Sequence, residues 1–189
     1  MCIRDSILVT RLNNELVFIN NTTYLTIMSG SMEKAHKLNT YIEENDLTNQ
    51  IEKYSLITLT KVKESEIKLY DILAYKNKDG KIIVHRLIRM YKSEENNRTY
   101  YTLKGDANKE SLPYELSLTY EDIIARYDNK QSLVLGVSLI YLQSNIGLVA
   151  LASASLFLLN YSYYDSLINK AYKKRITYLL NQAQNNYEN

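Results

Sequence analysis

DILAYKNKDGKIIVHRLIRMY, residues 71–91, holds two short apolar runs separated by a polar turn. The runs are rich in Ile, Leu and Val, and the sequence NKDG between them, Asn77 to Gly80, is a strong hairpin-turn pattern. We therefore predict two antiparallel strands joined by a tight turn.

The flanking sequence extends this β pattern. YSLITLTKV, residues 54–62, alternates apolar and polar positions and is rich in β-branched side chains, while TYYTLKGD, residues 99–106, forms a third strand after the hairpin. Residues 33–54 are polar, with apolar side chains at helical spacing, which predicts a short helix or an inserted loop. The pattern predicts a mainly β, antiparallel domain.

An uncharged stretch from Gln131 to Tyr164 follows the predicted sheet, and residues 146–164 have about the length of a membrane-spanning helix. Tyrosines at its end are typical of the membrane interface, and the basic residues after it place the tail in the cytoplasm. These basic residues are Lys170, Lys173, Lys174 and Arg175. The alternative is a buried core helix, because Gln143 to Asn145 shorten the apolar part.

The N-terminal segment and the composition exclude several classes of protein. Charged residues interrupt residues 1–25, which read neither as a signal peptide nor as a complete spanning helix, and we expect an N-terminal segment or a truncated anchor there. Cys2 is the single cysteine, so neither a disulfide framework nor a cysteine zinc site is available. The net charge of +2, without a basic stripe, indicates no nucleic-acid partner.

Three side chains are candidates for chemistry. Ser31 lies in the sequence S-G-S-M, and this serine is either a nucleophile or an ordinary turn residue. His85 lies in the middle of a predicted strand, and it is either a general base or a core histidine. Asp106 ends the next strand, and it is either the partner of His85 or part of an ordinary Gly-Asp turn. His36, the other histidine, falls in the polar segment, where we expect solvated surface.

The ordered motifs S-G-S-M, V-H-R and K-G-D-A-N, with the hairpin between them, resemble the signal peptidase I family over residues 26 to 127. The similarity is to the endoplasmic-reticulum, archaeal and Gram-positive branch, in which histidine replaces the catalytic lysine. It implies a signal-peptidase-like antiparallel β catalytic domain with a C-terminal transmembrane helix. The predicted organisation is an N-terminal segment (1–25), the catalytic domain (26–130) with an inserted loop or helix (33–53), a membrane-proximal segment and helix (131–164), and a basic tail (165–189).

The resemblance implies a role for each matching residue. Ser31 would be the nucleophile, His85 the general base, and Asp106 the residue that orients the imidazole, with Glu110 in reserve. Ser29 would contribute its hydroxyl to the oxyanion hole. The supporting positions are Met32, which would pack beneath the nucleophile as an apolar wall, Arg86, Lys104 and Gly105.

The resemblance also implies a function. Family members are membrane-bound serine endopeptidases that remove signal peptides from secretory preproteins after a small-x-small motif, on the extracytoplasmic side. No metal or organic cofactor is needed for this chemistry. The expected partners are preproteins and the lipid bilayer, and the involvement of accessory subunits is left open.

The sequence departs from the family pattern at four places. Lys34 stands where the family has proline, Tyr70 stands where it has glycine, and residues 32–54 are longer than expected. Ser111 and Leu112 occupy the place of an aspartate pair, which leaves the identity of the third catalytic member open.

Two alternative functions follow. The first is a catalytically degenerate, membrane-anchored relative that binds peptides without cutting them. The second is a self-cleaving repressor of the serine-lysine type, which would need a lysine base on the strand where His85 lies and a DNA-binding head, and would not carry a spanning helix.

Overall fold

The computed structural model describes residues 16–187, with side chains placed up to residue 182. The contact pattern divides the chain into a unit ending at Ile140 and a second unit beginning at Tyr141. Most of the predicted N-terminal segment 1–25 thus lies outside the described residues.

The first unit is built on an antiparallel sheet, which has six strands within residues 16–187. The strands are β1 (Thr22–Thr26), β2 (Leu56–Thr60), β3 (Ile72–Lys76), β4 (Ile82–Lys92), β5 (Thr99–Lys104) and β6 (Ile123–Ser132). Their order across the sheet is β1-β2-β6-β3-β4-β5, and every neighbouring pair is antiparallel. The predicted mainly β, antiparallel architecture is confirmed.

The β3–β4 hairpin forms as the sequence predicts. The Asn77 side chain accepts hydrogen bonds from the backbone N–H groups of Asp79 (3.0 Å) and Lys81 (2.8 Å), which closes the turn. Gly80 has a φ of 75°, a conformation that glycine adopts without strain. This turn fixes the register that places Leu73 opposite His85.

Each face of the sheet carries its own apolar cluster. Along β3, Ile72 and Ala74 belong to one cluster, while Leu73 and Tyr75 belong to the other. Residues opposite each other in a ladder share a face, and successive residues alternate. His85 therefore lies on the face of Leu73 and Tyr75, which we call the His85 face.

Two strands of this sheet are absent from the sequence-based prediction. The edge strand β1 lies, except for Thr26, within the stretch 1–25 predicted as an N-terminal segment, and β6 lies between β2 and β3. The ladder between β2 and β6 is interrupted by a register shift, where Asn129 has a φ of 53°. This irregularity breaks the period-2 pattern by which a strand is recognised.

The segment 33–53 contains the single-turn helix α1 (Tyr41–Glu44). Its side chains Ile42 and Ile51 are buried, and the backbone N–H of Ile51 donates to the Met32 carbonyl at 2.9 Å. The segment therefore packs against the rest of the first unit.

Strand β6 leads directly into helix α2 (Leu133–Gln143), which is followed by α3 (Asn145–Tyr187). In the part of the chain that the structure describes, α3 alone is long and apolar enough to cross a membrane, with a mean hydropathy of 1.5 over its best window. The predicted spanning segment 146–164 lies inside α3, which continues as a helix through the basic residues that follow.

Candidate active site

Ser31 and His85 come together at the start of the loop that follows β1. The Ser31 hydroxyl oxygen lies 3.0 Å from His85 Nε2, within hydrogen-bond distance. The loop is fixed by backbone bonds: Ile27 N–H donates to Ser55 (2.9 Å), and Ala107 N–H donates to the Ser31 carbonyl (2.8 Å). A serine hydroxyl on an imidazole is the contact that general-base activation requires.

Glu115 completes this arrangement on the other side of the ring. Its Oε1 accepts a hydrogen bond from His85 Nδ1, and the Tyr75 hydroxyl donates to the same oxygen at 2.5 Å. Its Oε2 accepts from the backbone N–H of Leu112 at 2.7 Å. Glu115 is completely buried, so this carboxylate meets three donors and no solvent.

The surroundings of Glu115 favour its ionised form. Burial alone would raise its pKa, but the hydrogen bond and charge of His85, together with the donors Tyr75 and Leu112, outweigh burial and hold the pKa of Glu115 below its usual value. An ionised carboxylate at Nδ1 keeps the ring proton on that nitrogen. The lone pair of Nε2 then faces Ser31.

The prediction that Asp106 contacts the imidazole is wrong. Asp106 forms a buried ion pair with Arg86, whose Nε and Nη2 donate to its two carboxylate oxygens at 2.9 and 2.6 Å. The physical reason is strand alternation, because Arg86 follows His85 directly and points to the opposite face of the sheet. The reserve candidate Glu110 is exposed, and its Oε1 lies 3.8 Å from Lys109 Nζ.

Ser29 and Met32 lie in the same loop as Ser31. The hydroxyl oxygens of Ser29 and Ser31 are 3.2 Å apart, and Ser29 is exposed. Met32 is buried in the core below the loop, where its sulfur accepts from the backbone N–H of Asp106 at 3.4 Å. The Ser29 hydroxyl therefore lies within reach of the Ser31 hydroxyl, and Met32 belongs to the apolar core.

Gly105 lies where the chain passes too close to Ser31 and His85 for a larger side chain. A Cβ at this position would lie 2.9 Å from the Ser31 carbonyl oxygen and 3.0 Å from His85 Nε2. Lys104, in contrast, directs its ammonium group toward the Tyr41 ring, 6.0 Å from the centroid. Of the supporting residues at this strand end, Gly105 is the one whose backbone closely approaches Ser31 and His85.

The segment 33–53 is tied to the loop that carries Asp106. The Asp106 carbonyl accepts from the backbone N–H of His36 (2.8 Å) and from the side chain of Asn39 (2.7 Å). The Asn49 side chain accepts from Arg86 Nη1 at 2.8 Å. The Arg86–Asp106 pair is therefore a structural centre that joins this segment to the sheet.

Sequence reasoning missed Glu115. It lies in a 3₁₀ turn, Pro113–Glu115, which a short antiparallel bridge between Tyr101 and Leu118 holds against β5. The available indication was an acid within the apolar run LPYEL, residues 112–116, because a carboxylate among apolar neighbours is buried only where donors meet it. Within residues 16–187, no group of three or more His, Cys, Asp or Glu residues is arranged to hold a metal ion.

Comparison of the chain with protein-family models gives no match, and a search of curated proteins gives none either. The case for a function is therefore built on the Ser31–His85–Glu115 arrangement and on the apolar helix α3.

Proposed function

We propose that this protein is a membrane-anchored serine endopeptidase of the signal peptidase I type, with the six-stranded sheet as its signal-peptidase-like catalytic domain. One observation carries the proposal: the Ser31 hydroxyl lies 3.0 Å from His85 Nε2, while Nδ1 of the same ring bonds the buried carboxylate of Glu115. A nucleophile, a base and an orienting acid joined by hydrogen bonds form the arrangement with which Ser-His-Asp sites carry out acyl transfer.

In the proposed reaction, His85 Nε2 takes the Ser31 proton as the hydroxyl oxygen attacks the scissile carbonyl carbon. The imidazolium is stabilised by Glu115 and passes its proton to the leaving amine as the peptide bond breaks. A water molecule then attacks the acyl-serine by the same route, and Ser31 regains its proton.

The tetrahedral intermediate needs donors for its negative oxygen. The Ser29 hydroxyl and the backbone N–H of Ser31 are the donors we assign, because the Ser29 oxygen is only 3.2 Å from the attacking oxygen. Each donor of this kind contributes roughly 10²–10³ in rate.

The substrate we assign is the signal peptide of a secretory preprotein, cut after a small-x-small motif. The resemblance of the motifs supports it, and so does the position of the edge strand β1, which runs directly into the loop of Ser29 and Ser31. An extended peptide that pairs with such an edge passes the nucleophile with alternate side chains directed inward. Helix α3 would raise the effective concentration of enzyme near a substrate in the same bilayer.

We assign the sheet unit to the extracytoplasmic side and the C-terminal tail to the cytoplasm. The support is the cluster of basic residues after the apolar part of α3, since such clusters stay on the cytoplasmic side of spanning helices. The cluster consists of Lys170, Lys173, Lys174 and Arg175.

The test is cleavage of a reporter preprotein that carries an Ala-x-Ala site, in membranes that contain the full chain. We expect the mature reporter with the wild type and with the control Ser65→Ala, an exposed serine in a turn outside the site. Ser31→Ala should give none. Cleavage that persists in Ser31→Ala contradicts the assigned nucleophile, and no cleavage by any variant favours the non-catalytic, peptide-binding relative.

A further inference from the structure

Tyr75 contacts the same carboxylate oxygen as the proposed base. Its side chain is completely buried on β3, on the His85 face, one diagonal step from His85, with 6.3 Å between the ring centroids. Its hydroxyl donates to Glu115 Oε1 at 2.5 Å, the oxygen that also bonds His85 Nδ1. The chemical steps described above do not use this hydroxyl.

We propose that Tyr75 is a positioning residue of the site, which holds Glu115 Oε1 on His85 Nδ1 and keeps the carboxylate ready to receive the imidazolium. The inference rests on the proposed serine endopeptidase activity, because it assigns a task within that reaction. Tyr75 touches neither Ser31 nor the place of the scissile bond, and acts through Glu115.

The need for such a residue follows from where Glu115 lies. Its turn, Pro113–Glu115, is outside the regular sheet, whereas Tyr75 and His85 are on adjacent central strands. The Leu112 N–H holds Oε2 from within the same turn, so Tyr75 is the donor that ties the carboxylate to the sheet on the side of the base. Without it, Oε1 would depend on the His85 bond alone.

Tyr75 also acts on the charge of the pair. Burial, and to a smaller extent the bond to Glu115, raises the pKa of Tyr75. Its hydroxyl therefore remains a neutral donor throughout the pH range of the assay. The titratable groups that face Glu115 are His85 from β4, Tyr75 from β3 and Tyr114 from its own turn. Removing the Tyr75 hydroxyl makes the Glu115 carboxylate more basic. The pair formed by Glu115 and His85 then binds a proton at a higher pH.

The decisive variant is Tyr75→Phe, with Tyr101→Phe as the matched control. Tyr101 is also a buried tyrosine on the sheet, it also donates to a carboxylate, that of Glu64 at 3.2 Å, and burial raises its pKa to about 12. Both substitutions remove one tyrosine hydroxyl that donates to a carboxylate and keep the ring, so Tyr101→Phe reports the cost of losing such a bond away from His85.

With the reporter preprotein, we expect Tyr75→Phe to lower kcat by about 10–100-fold, the usual effect of removing an outer partner of a reactive group, with little change in KM. The acid limb of the pH–rate profile should move to higher pH. Tyr101→Phe should keep the wild-type profile. A Tyr75→Phe profile that matches the Tyr101→Phe profile, or moves to lower pH, overturns the proposal.

A second measurement separates this inference from the proposed activity. The sequence has two histidines, so ¹⁵N-histidine labelling of the full chain in lipid nanodiscs, in a Ser31→Ala background, gives one resonance set for His85 and an internal reference from His36. Tyr75→Phe should change the Nδ1–H resonance of His85, which reports its bond to Glu115, and Tyr101→Phe should leave it unchanged. If the wild type cuts no preprotein, the proposed function fails, and equal His85 Nδ1–H resonances in the two variants refute the positioning role independently.

Discussion

Replacing Glu115 with Gln should stop the chemistry without unfolding the protein. The carboxylate accepts Tyr75 and His85 on one oxygen and Leu112 on the other, so an amide cannot satisfy all three donors. With its NH₂ toward His85, the ring must place its proton on Nε2, where it blocks deprotonation of Ser31. With its oxygen toward His85, the geometry survives but the negative charge that stabilises the imidazolium is lost.

In both orientations the amide cannot form an ion pair with the His85 imidazolium, so the stabilisation that this pair gives to the transition state is lost. We expect kcat to fall by roughly 10²–10⁴, the range of general-base catalysis, which corresponds to about 3–5 kcal/mol of transition-state stabilisation. KM should change little, because Glu115 is buried behind the imidazole and does not reach the substrate.

Asp106→Asn is the matched comparison, since it removes the other buried carboxylate near the site. Arg86 would keep its bonds to Asn49 and the Tyr70 carbonyl, but it would be a buried charge without a counter-ion. Breaking such a pair costs about 3–5 kcal/mol, or roughly 6–20 °C in Tm for a chain of this size. The folded fraction should retain a kcat close to that of the wild type.

The assay combines reporter cleavage with thermal unfolding, followed by near-UV circular dichroism of the 18 tyrosines, since the chain has no tryptophan. The reasoning fails if Glu115→Gln stays within a few fold of the wild-type kcat while folded Asp106→Asn is inactive. That result would restore Asp106 as the third catalytic member, as the motif resemblance implies.

Three further predictions follow from the same site. Ser29→Ala should lower kcat by roughly 10²–10³ at constant KM, while Ser29→Thr, which keeps a hydroxyl, should lose less; equal losses in reporter cleavage argue against an oxyanion donor. Because the pKa of Glu115 lies below its usual 4.5, its contribution to stability is full above that pH and is lost as the pH falls through the folded pKa. The Tm difference between wild type and Glu115→Gln should therefore narrow below pH 4.5, and a gap that widens there contradicts the assignment. Protease added to intact cells should digest the sheet unit and spare the basic tail, and the reverse pattern overturns the topology.

The central hairpin could be predicted from the sequence because its information is local. The side chain of Asn77 closes the turn, and Gly80 supplies the left-handed conformation, so both strands and their register follow from a few consecutive residues. The apolar length of α3 is likewise a property of one continuous stretch.

Strand β6 could not be predicted in the same way. It pairs with β2 and β3, which precede it by some 50 to 70 residues, and the register shift at Asn129 interrupts its alternation. Its place in the centre of the sheet depends on contacts between distant segments, and nothing in residues 123–132 alone favours a strand strongly.

The partner of Asp106, by contrast, follows from a local pattern once the β4–β5 pairing is assumed. Arg86 pairs with Lys104 in the ladder, and Asp106 lies two residues beyond Lys104, so alternation assigns Asp106 to the face of Arg86 and away from that of His85. A motif match transfers residue types along the sequence, whereas a catalytic partner must also lie on the correct face.

Glu115 does lie on the same face as His85, and a turn outside the regular sheet places it there. The bridge between Tyr101 and Leu118 brings the chain back alongside β5, and the preceding turn places the carboxylate on the His85 face. The two buried acids thereby have different partners: Asp106 neutralises Arg86 in the framework, and Glu115 bonds His85. Since an acid can serve His85 only from the face on which the imidazole lies, the third member of this site is determined by the fold of residues 105–118, and the K-G-D-A-N motif alone does not specify it.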